Sequence, residues 1–429
     1  MAHRDIQGNA PVFVQTATSV MEGLDQWQQV GEAEARMAYD MTLRNELSGG
    51  TPVVREFEQT WRERTCTEYA ITVTNGTSAL YSAFFGLKVG PGDEVICPDY
   101  TWICTISPAL LLGARPVFAE SLPGSVVIDP ADIRRRITSR TRAIVVVHLW
   151  GWLCDMDAIM EISRETGIPV VEDCSHAHGA MYKGRPAGSI GHVGCWSMQG
   201  SKPASAGEGG ILATNDPEIF DRACLIGQVN RIKGMDLVTT NYQHLQPLGT
   251  GMKFRAHPLG IGIAAVQLEK LDALNERRAG YVKEVEAGLA EISCLTPIPT
   301  AEGSERGGYY GLPTLFQPDD LPGVSRDAFL KALNAQGLPA SDGGYELLHR
   351  LPIFGDGFDL FGHDRGPICP TDSTGFDGPW QGYEEGDFPV SEATHANLVF
   401  LPMLSDPVPG AAGKILDAVN EAVRRLRAE

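Results

Sequence analysis

Short apolar runs alternate with longer amphipathic stretches along the chain from about residue 70 onward. Seven of these runs have the length of strands and are rich in Val and Ile; they are AITVTN (70–75), EVICPD (94–99), RPVFAE (115–120), AIVVVHLW (143–150), PVVEDC (169–174), HVGCWSMQ (192–199) and GGILATN (209–215). Continuous apolar runs are typical of strands that are buried on both faces. The segments 77–90 and 158–167 between them have helical spacing. The pattern therefore predicts an α/β fold with a mostly parallel seven-stranded sheet sandwiched by helices.

The pattern changes in the last third of the chain. A long helical pattern covers residues 261–292, shorter segments broken by Pro follow it, and an amphipathic helix is predicted over 412–429. A helix of such length usually joins two domains. We therefore expect a large domain with a helical lead-in over residues 1–290 and a smaller α+β domain over 291–429.

One segment of the predicted second domain differs in composition from the rest. Residues 355–387 are rich in Gly and Asp and contain few aliphatic residues. A long loop of this kind in a compact domain is usually functional or mobile. The sequence thus predicts a surface loop that buries little apolar area.

Charge and cysteine content narrow the class of protein. With 35 Lys and Arg against 54 Asp and Glu, the chain carries a net charge of −19, which disfavours nucleic acid and anionic membranes as partners. Residues 1–20 lack the pattern of a secretory signal, and the apolar run at 143–150 is too short to span a membrane. The 9 cysteines show no CxxC spacing, which indicates reduced thiols rather than disulfides or a zinc site. We expect a soluble cytoplasmic protein.

The first candidate for chemistry follows the first predicted strand. The motif TNGTSAL (74–80) combines a strand end, a Gly turn and a helix start. Free backbone N–H groups and the helix dipole at Gly76, Thr77 and Ser78 would bind an anion. Many turns between a strand and a helix look alike, so the motif by itself also fits an ordinary turn.

The second candidate is VVEDCSHAHGA (170–180), in which Asp173 ends an apolar strand. A carboxylate there is unfavourable unless it is paired. Asp173 either caps the next helix or faces the protonated nitrogen of a heterocycle. His176 and His178 follow, but no third ligand has suitable spacing, so no metal site is expected.

Two further candidates complete the group. Lys202 follows a buried strand among small residues, in QGSKPASAGEGG, where burial would lower its pKa as a Schiff-base lysine requires; a lysine that reaches into solvent is the alternative. Trp102 in PDYTW lies just beyond a strand and is either a core residue or a platform for a cofactor. A phosphate site, a carboxylate, an aromatic cover and a lysine together point to pyridoxal 5′-phosphate (PLP).

The motifs occur in an order that resembles a known family. LSGGTPVVREFE, TNGTSAL, PDYTW, VEDCSHAHGA, SMQGSKPASAGEGG, GMKFR and FPVSEA…LPM extend from about residue 43 to 403. The sequence resembles the DegT/StrS-type sugar aminotransferases, which are fold-type I PLP enzymes. In GMKFR, Lys253 stands where many members have Asn, and this form resembles the branch that acts on cyclitol ketones of the scyllo-inosose type.

The resemblance implies roles for individual residues. Lys202 would hold PLP as a Schiff base, Asp173 would keep the pyridine nitrogen protonated, and Trp102 would stack on the ring. The other implied contacts are His176 near the ring hydroxyl, Gly76, Thr77, Ser197 and Lys253 of the partner subunit at the phosphate, and Gln199, Tyr345 and His349 toward the substrate.

The resemblance also implies the reaction. We expect a PLP-dependent aminotransferase that moves an amino group from L-glutamine or L-glutamate to a keto-sugar or keto-cyclitol in the biosynthesis of aminoglycoside-like metabolites. The enzyme would be a homodimer with shared active sites. A PLP-dependent dehydratase or cyclase acting on a carbohydrate-derived substrate is the alternative. Segment 355–387 would either shape specificity for the acceptor or be a solvated surface excursion.

Overall fold

The computed structural model describes residues 20–26, 30–232, 237–246, 248–373 and 375–428. The first 19 residues of the predicted lead-in lie outside this range. The α-helices are α1 (Glu32–Leu43), α2 (Pro52–Thr65), α3 (Gly76–Gly86), α4 (Ser107–Leu111), α5 (Pro130–Arg136), α6 (Met156–Thr166), α7 (Pro217–Gly227), α8 (Pro258–Leu289), α9 (Arg326–Ala335), α10 (Pro352–Gly355), α11 (Pro389–Ala396) and α12 (Ala411–Leu426). The strands are β1 (Tyr69–Val73), β2 (Glu94–Pro98), β3 (Arg115–Ala119), β4 (Thr141–Val147), β5 (Val170–Asp173), β6 (Met181–Tyr182), β7 (Arg185–Pro186), β8 (Val193–Ser197), β9 (Gly210–Thr214), β10 (Leu295–Pro297), β11 (Ser304–Glu305), β12 (Leu312–Phe316) and β13 (Leu398–Leu401).

The seven predicted strands form one sheet with the order β1-β9-β8-β5-β4-β2-β3. Strands β3, β2, β4, β5 and β8 are parallel, and β9 is antiparallel to both β8 and β1. Because β1 therefore runs in the same direction as the parallel strands, the ends of β1, β2, β4, β5 and β8 share one edge of the sheet. We call it the carboxyl edge, and all four candidate motifs follow strands that end there.

The sheet separates two apolar cores, as the continuous apolar runs predict. Successive residues of a strand point to opposite faces. Val146 of β4 packs with residues of α2, α6 and α8, whereas its neighbour Val145 packs with residues of α3, α4 and α7. The prediction of a sheet sandwiched by helices is confirmed.

The C-terminal part of the chain has its own small sheet. Strands β10, β12 and β13 are antiparallel, and helices α9 and α12 lie beside them. The 32-residue helix α8 contacts α1 and α2 as well as α12. The domain boundary at residue 290 stays a prediction.

The Gly- and Asp-rich segment covers the free edge of the large sheet. Trp380 and Ile368 are buried in the same core as α3, and the guanidinium of Arg115 in edge strand β3 lies 3.9 Å from the ring centroid of Phe376. Edge strands need such protection because their backbone groups lack a neighbour. The expectation that this segment buries little apolar area is therefore wrong for Ile368 and Trp380, which are buried, whereas Phe358 and Phe361 are exposed.

Among the described residues, no helix combines the length and the apolar character needed to cross a membrane.

Candidate active site

Lys202 lies in the turn that follows β8, at the carboxyl edge. Its amino nitrogen is 3.8 Å from the ring centroid of Tyr310. Burial lowers the pKa of Lys202 from 10.5 to about 7, although the negative charge of Asp173 acts in the opposite direction. A lysine with this pKa supplies a neutral, nucleophilic amine near neutral pH.

Asp173 is the last residue of β5, and its side chain is buried. One carboxylate oxygen accepts a hydrogen bond from the hydroxyl of Thr105 at 3.0 Å, and the other accepts from the N–H of Ser175 at 3.1 Å. The residues that follow form a turn rather than a helix, so Asp173 does not act as a helix cap. Its carboxylate is therefore oriented by the segments that follow β2 and β5.

His176 stacks against two aromatic rings, which also contact each other. Its ring centroid lies 4.2 Å from that of Tyr310 and 5.0 Å from that of Trp150. Burial and the nearby charge of Lys202 hold the pKa of His176 well below its usual value, so the ring is neutral. Because its Nδ1 accepts the N–H of Trp150 at 3.2 Å, its proton is assigned to Nε2. His176 can therefore donate a hydrogen bond from Nε2.

Gly76 brings the start of α3 against the end of β8. A Cβ atom at Gly76 would lie 2.8 Å from the Cβ of Ser197, so a larger residue would force the two elements apart. Asn75 caps α3 by accepting the N–H of Ser78 at 2.8 Å. Within the part of the chain that is described, the N–H groups of Gly76 and Thr77 have no such acceptor. The free N–H groups of Gly76 and Thr77, together with the hydroxyl of Ser197, form a site that fits a phosphate.

Three further predicted residues lie around this group. The ring of Tyr345 contacts those of Trp150 and Trp102, with centroid distances of 4.7 and 5.3 Å. Trp102 is 48% exposed, which excludes the interpretation that it is a core residue. The side-chain oxygen of Gln199 accepts hydrogen bonds from the N–H and the hydroxyl of Ser201.

The structure does not bring His349 to this group. His349 is buried, and its Nδ1 lies 2.7 Å from Asp99 while its Nε2 lies 3.2 Å from Glu392. Although burial opposes protonation, these two carboxylates raise the pKa of His349. The role of His349 toward the substrate stays a prediction, and its contacts here are those of a buried charge cluster.

Lys253 lies in the segment that precedes α8. It is exposed and forms a backbone bridge with Gln228. An exposed lysine in this position is available to a second subunit, as the resemblance implies; that role stays a prediction.

Tyr310 is the main site residue that the sequence analysis missed. Two glycines bring its segment close to the turn after β5, since a Cβ at Gly307 would lie 2.4 Å from the nitrogen of Ala180 and one at Gly308 would lie 2.4 Å from the oxygen of His176. The run GGYYG (307–311) was the available signal, because paired glycines permit such close approach of two backbones.

Together, the site holds groups that match the distinct parts of PLP. It presents free N–H donors and a hydroxyl for a phosphate, a buried carboxylate for a pyridine nitrogen, a neutral imidazole donor for a ring hydroxyl and an amine for an aldehyde. These residues fit the cofactor that the sequence predicts.

Comparisons with known proteins agree with this geometry. Residues 28–362 match the DegT/DnrJ/EryC1/StrS aminotransferase family. The L-glutamine:scyllo-inosose aminotransferase of Streptomyces griseus is 33% identical over 72% of this chain and 75% of its own length. The GDP-perosamine synthase of Caulobacter vibrioides is 36% identical over 70% of this chain and 78% of its own length. The crystal structure of the aminotransferase from Psychrobacter cryohalolentis is 27% identical, with a TM-score of 0.81 over 94% of this chain and 100% of that one. The chain belongs to the DegT/DnrJ/EryC1/StrS aminotransferase family.

Proposed function

We propose that this aminotransferase uses PLP to move the amino group of L-glutamine to a keto-cyclitol. The observation that carries the proposal is the convergence of Lys202, Asp173 and His176 with the free N–H groups of Gly76 and Thr77 at one edge of the sheet. L-Glutamate is the second candidate donor.

The residues of the chain have separate roles in this proposal. When bound, PLP supplies a ring that withdraws electrons from the bonds of the amino carbon. Asp173 keeps a proton on the pyridine nitrogen, and His176 donates from Nε2 to the ring hydroxyl. The N–H groups of Gly76 and Thr77 and the hydroxyl of Ser197 bind the phosphate, and Trp102 covers the exposed side of the ring.

Lys202 has two tasks. Its amino group would attach the cofactor, and the released Nζ would take up and return a proton at the amino carbon of the substrate. A pKa of about 7 suits the second task, because an acid–base group works best when its pKa lies near the working pH.

The proposed assembly is a homodimer in which Lys253 reaches the phosphate site of the partner subunit. Leu248 and Met252, close to Lys253 in sequence, are exposed apolar residues, as expected at a subunit interface. Mixing inactive Lys202→Ala and Lys253→Glu protomers should restore activity, because one of the two mixed sites is wild type. No recovery after proven subunit exchange would place Lys253 and Lys202 of one chain in the same site.

The cyclitol acceptor is the finer part of the proposal. It is supported by the similarity to the scyllo-inosose aminotransferase of Streptomyces griseus and by Lys253 in place of Asn. The similarity to GDP-perosamine synthase makes a nucleotide-linked keto-sugar the acceptor to test against it.

A two-stage assay tests the proposal. The PLP-loaded enzyme is mixed with one L-amino acid at a time and no acceptor, and the keto acid released per active site is measured. Glutamine should release one equivalent, after which scyllo-inosose should be aminated faster than a nucleotide-linked keto-sugar. If no amino acid releases a keto acid, the dehydratase or cyclase alternative replaces the transamination; a preference for the nucleotide sugar overturns the cyclitol assignment alone.

A further inference from the structure

The contact between Lys202 and Tyr310 has no counterpart in the roles assigned above. The amino nitrogen of Lys202 lies over the ring of Tyr310, 3.8 Å from its centroid. The face of an aromatic ring is electron-rich and attracts an ammonium group, most strongly where water is excluded. The ring therefore offers the amine of Lys202 a resting position inside the site.

The hydroxyl of Tyr310 joins a second chain of contacts. It lies 2.7 Å from the hydroxyl oxygen of Ser201, and the hydroxyl of Ser201 donates to the side-chain oxygen of Gln199 at 2.7 Å. Because the single proton of Ser201 points to Gln199, Tyr310 must be the donor to Ser201. Because the N–H and the hydroxyl of Ser201 both donate to the side-chain oxygen of Gln199, the NH₂ group of this amide, which has no acceptor among the described residues, can face a ligand.

The ring itself is held firmly. It stacks on His176, and its segment is tied to helix α8 because the N–H of Gly308 donates to Asn275 at 3.2 Å while Asn275 donates to the oxygen of His178 at 2.9 Å. A platform that is fixed from two sides can orient a flexible lysine side chain without moving itself.

We propose that Tyr310 is a positioning residue: its ring face holds the amino group of Lys202 whenever that group is not bonded to cofactor, and its hydroxyl orients Gln199 through Ser201. The inference rests on the proposed role of Lys202. The other titratable groups that face Lys202 are Asp173 at the end of β5, Cys104 in the turn after β2, and His176 and His178 in the turn after β5.

The first test changes the charge distribution of the ring at nearly constant shape. Phenylalanine and its mono-, di- and trifluorinated forms are placed at position 310 in the full-length chain without cofactor. The pKa of Lys202 is then read from the pH dependence of its acylation by a small anhydride, quantified by peptide mass. Because fluorine withdraws electrons from the ring face, the pKa should fall stepwise, by up to about one pH unit over the series.

The neighbouring Tyr309 provides the matched control. Its ring lies near Arg306 rather than Lys202, so the same substitutions there should leave the pKa of Lys202 unchanged. An equal pKa across the series at position 310 overturns the ring contact. Because this measurement needs no cofactor, it is independent of whether Lys202 attaches PLP, which cofactor mapping tests separately.

The second test addresses the hydroxyl chain in the loaded enzyme. Tyr310→Phe and Ser201→Ala each break the same chain, so each should raise the KM for the amino donor or the acceptor by roughly five- to tenfold with little change in kcat. The double variant should be no worse than either single one. Multiplying effects, or a loss confined to kcat, would show that the chain does not orient Gln199.

Discussion

Two buried polar clusters lie side by side at the carboxyl edge, and they differ in how completely their hydrogen bonds are satisfied. In the His148–Glu172 cluster, His148 Nε2 lies 3.0 Å from Glu172 Oε2, and His148 Nδ1 accepts the N–H of Cys154 at 3.2 Å. The carboxylate of Glu172 also accepts the backbone N–H groups of Gly188, Ile190 and Gly191.

The second cluster, which we call the Lys202 cluster, contains Lys202 and His178, and its hydrogen bonds are less completely satisfied. Its amine rests on a ring face, and neither ring nitrogen of His178 has a hydrogen-bond partner within the described ranges. Burial lowers the pKa of His178 to about 3 and that of Lys202 to about 7, so near neutral pH His178 is neutral and Lys202 loses part of its usual positive charge. Polar groups left open in this way are available to a ligand.

A buried charged group therefore does not by itself mark a functional site. The ligand atoms of His148, Glu172 and Cys174 lie within 4.8 Å of one another, close enough to surround a metal ion. Protein groups already occupy both nitrogens of His148 and both oxygens of Glu172. This cluster therefore holds the 188–191 turn in place, whereas the Lys202 cluster has free groups with which to bind and react.

The largest effect is expected from Asp173→Asn. The amide keeps the size of the carboxylate but cannot hold a proton on a pyridine nitrogen, so turnover should fall at least about a hundredfold while some cofactor stays bound. Steady-state kinetics and bound-cofactor absorbance measure the two quantities. Turnover near that of the wild type would make Asp173 a structural residue like Glu172.

Glu172→Ala tests how much the His148–Glu172 cluster contributes to stability. It leaves His148 and three backbone N–H groups without their acceptor, so the free energy of unfolding should fall by about 3–5 kcal/mol. Denaturant unfolding measures the loss. Glu165→Ala is the control, because it removes an exposed pair with Arg134 and should change the free energy of unfolding far less. Equal losses would refute the importance of the buried network.

Lys202→Met should stabilise the chain without cofactor, in contrast to Glu172→Ala. The pKa of Lys202 is about 7 in the folded chain and 10.5 for an ordinary lysine in the unfolded chain, so folding releases a proton between these pH values. The unfavourable contribution of Lys202 to the free energy of folding has its full size below pH 7 and decreases to zero as the pH rises to 10.5.

Thermal unfolding of both proteins across this range measures the difference. The variant should be the more stable at pH 6, and the two curves should converge above pH 10. A constant difference at every pH would show that Lys202 is not desolvated.

Tyr383→Phe should have the smallest effect. The hydroxyl of Tyr383 accepts from the N–H of Phe118 at 3.4 Å and donates to the oxygen of Pro116 at 3.5 Å, and both contacts are long. Its removal should lower the free energy of unfolding by about 1 kcal/mol or less, as measured by denaturant unfolding. A loss as large as that of Glu172→Ala would mean that the two hydrogen bonds of Tyr383 stabilise the fold as much as those of the His148–Glu172 cluster.

Much of the fold and part of the site could be predicted from the sequence. The Val- and Ile-rich runs mark the seven strands because strands buried on both faces need apolar side chains throughout. Asp173 and Lys202 stand out because each places a charged group at or just after the end of such a run. A charged group that is buried there must be paired or must have a shifted pKa.

The rest depends on contacts between distant parts of the chain. Tyr310 lies more than 100 positions from Lys202 and reaches it only through the close approach at Gly307 and Gly308. Trp380 covers β3 from a segment whose average composition is polar, and composition cannot show which of its few aromatic residues point inward. The resemblance places His349 toward the substrate, and the sequence could not show that it also pairs with Asp99, which lies 250 positions away.

The assignment of the active site is tested most directly by identifying the lysine that attaches PLP. The cofactor-loaded protein is reduced with borohydride, digested, and mapped by mass spectrometry for a pyridoxyl group. We expect the label on Lys202. A label on Lys253 or on any other lysine would contradict the assignment of the active site to the carboxyl edge of the sheet.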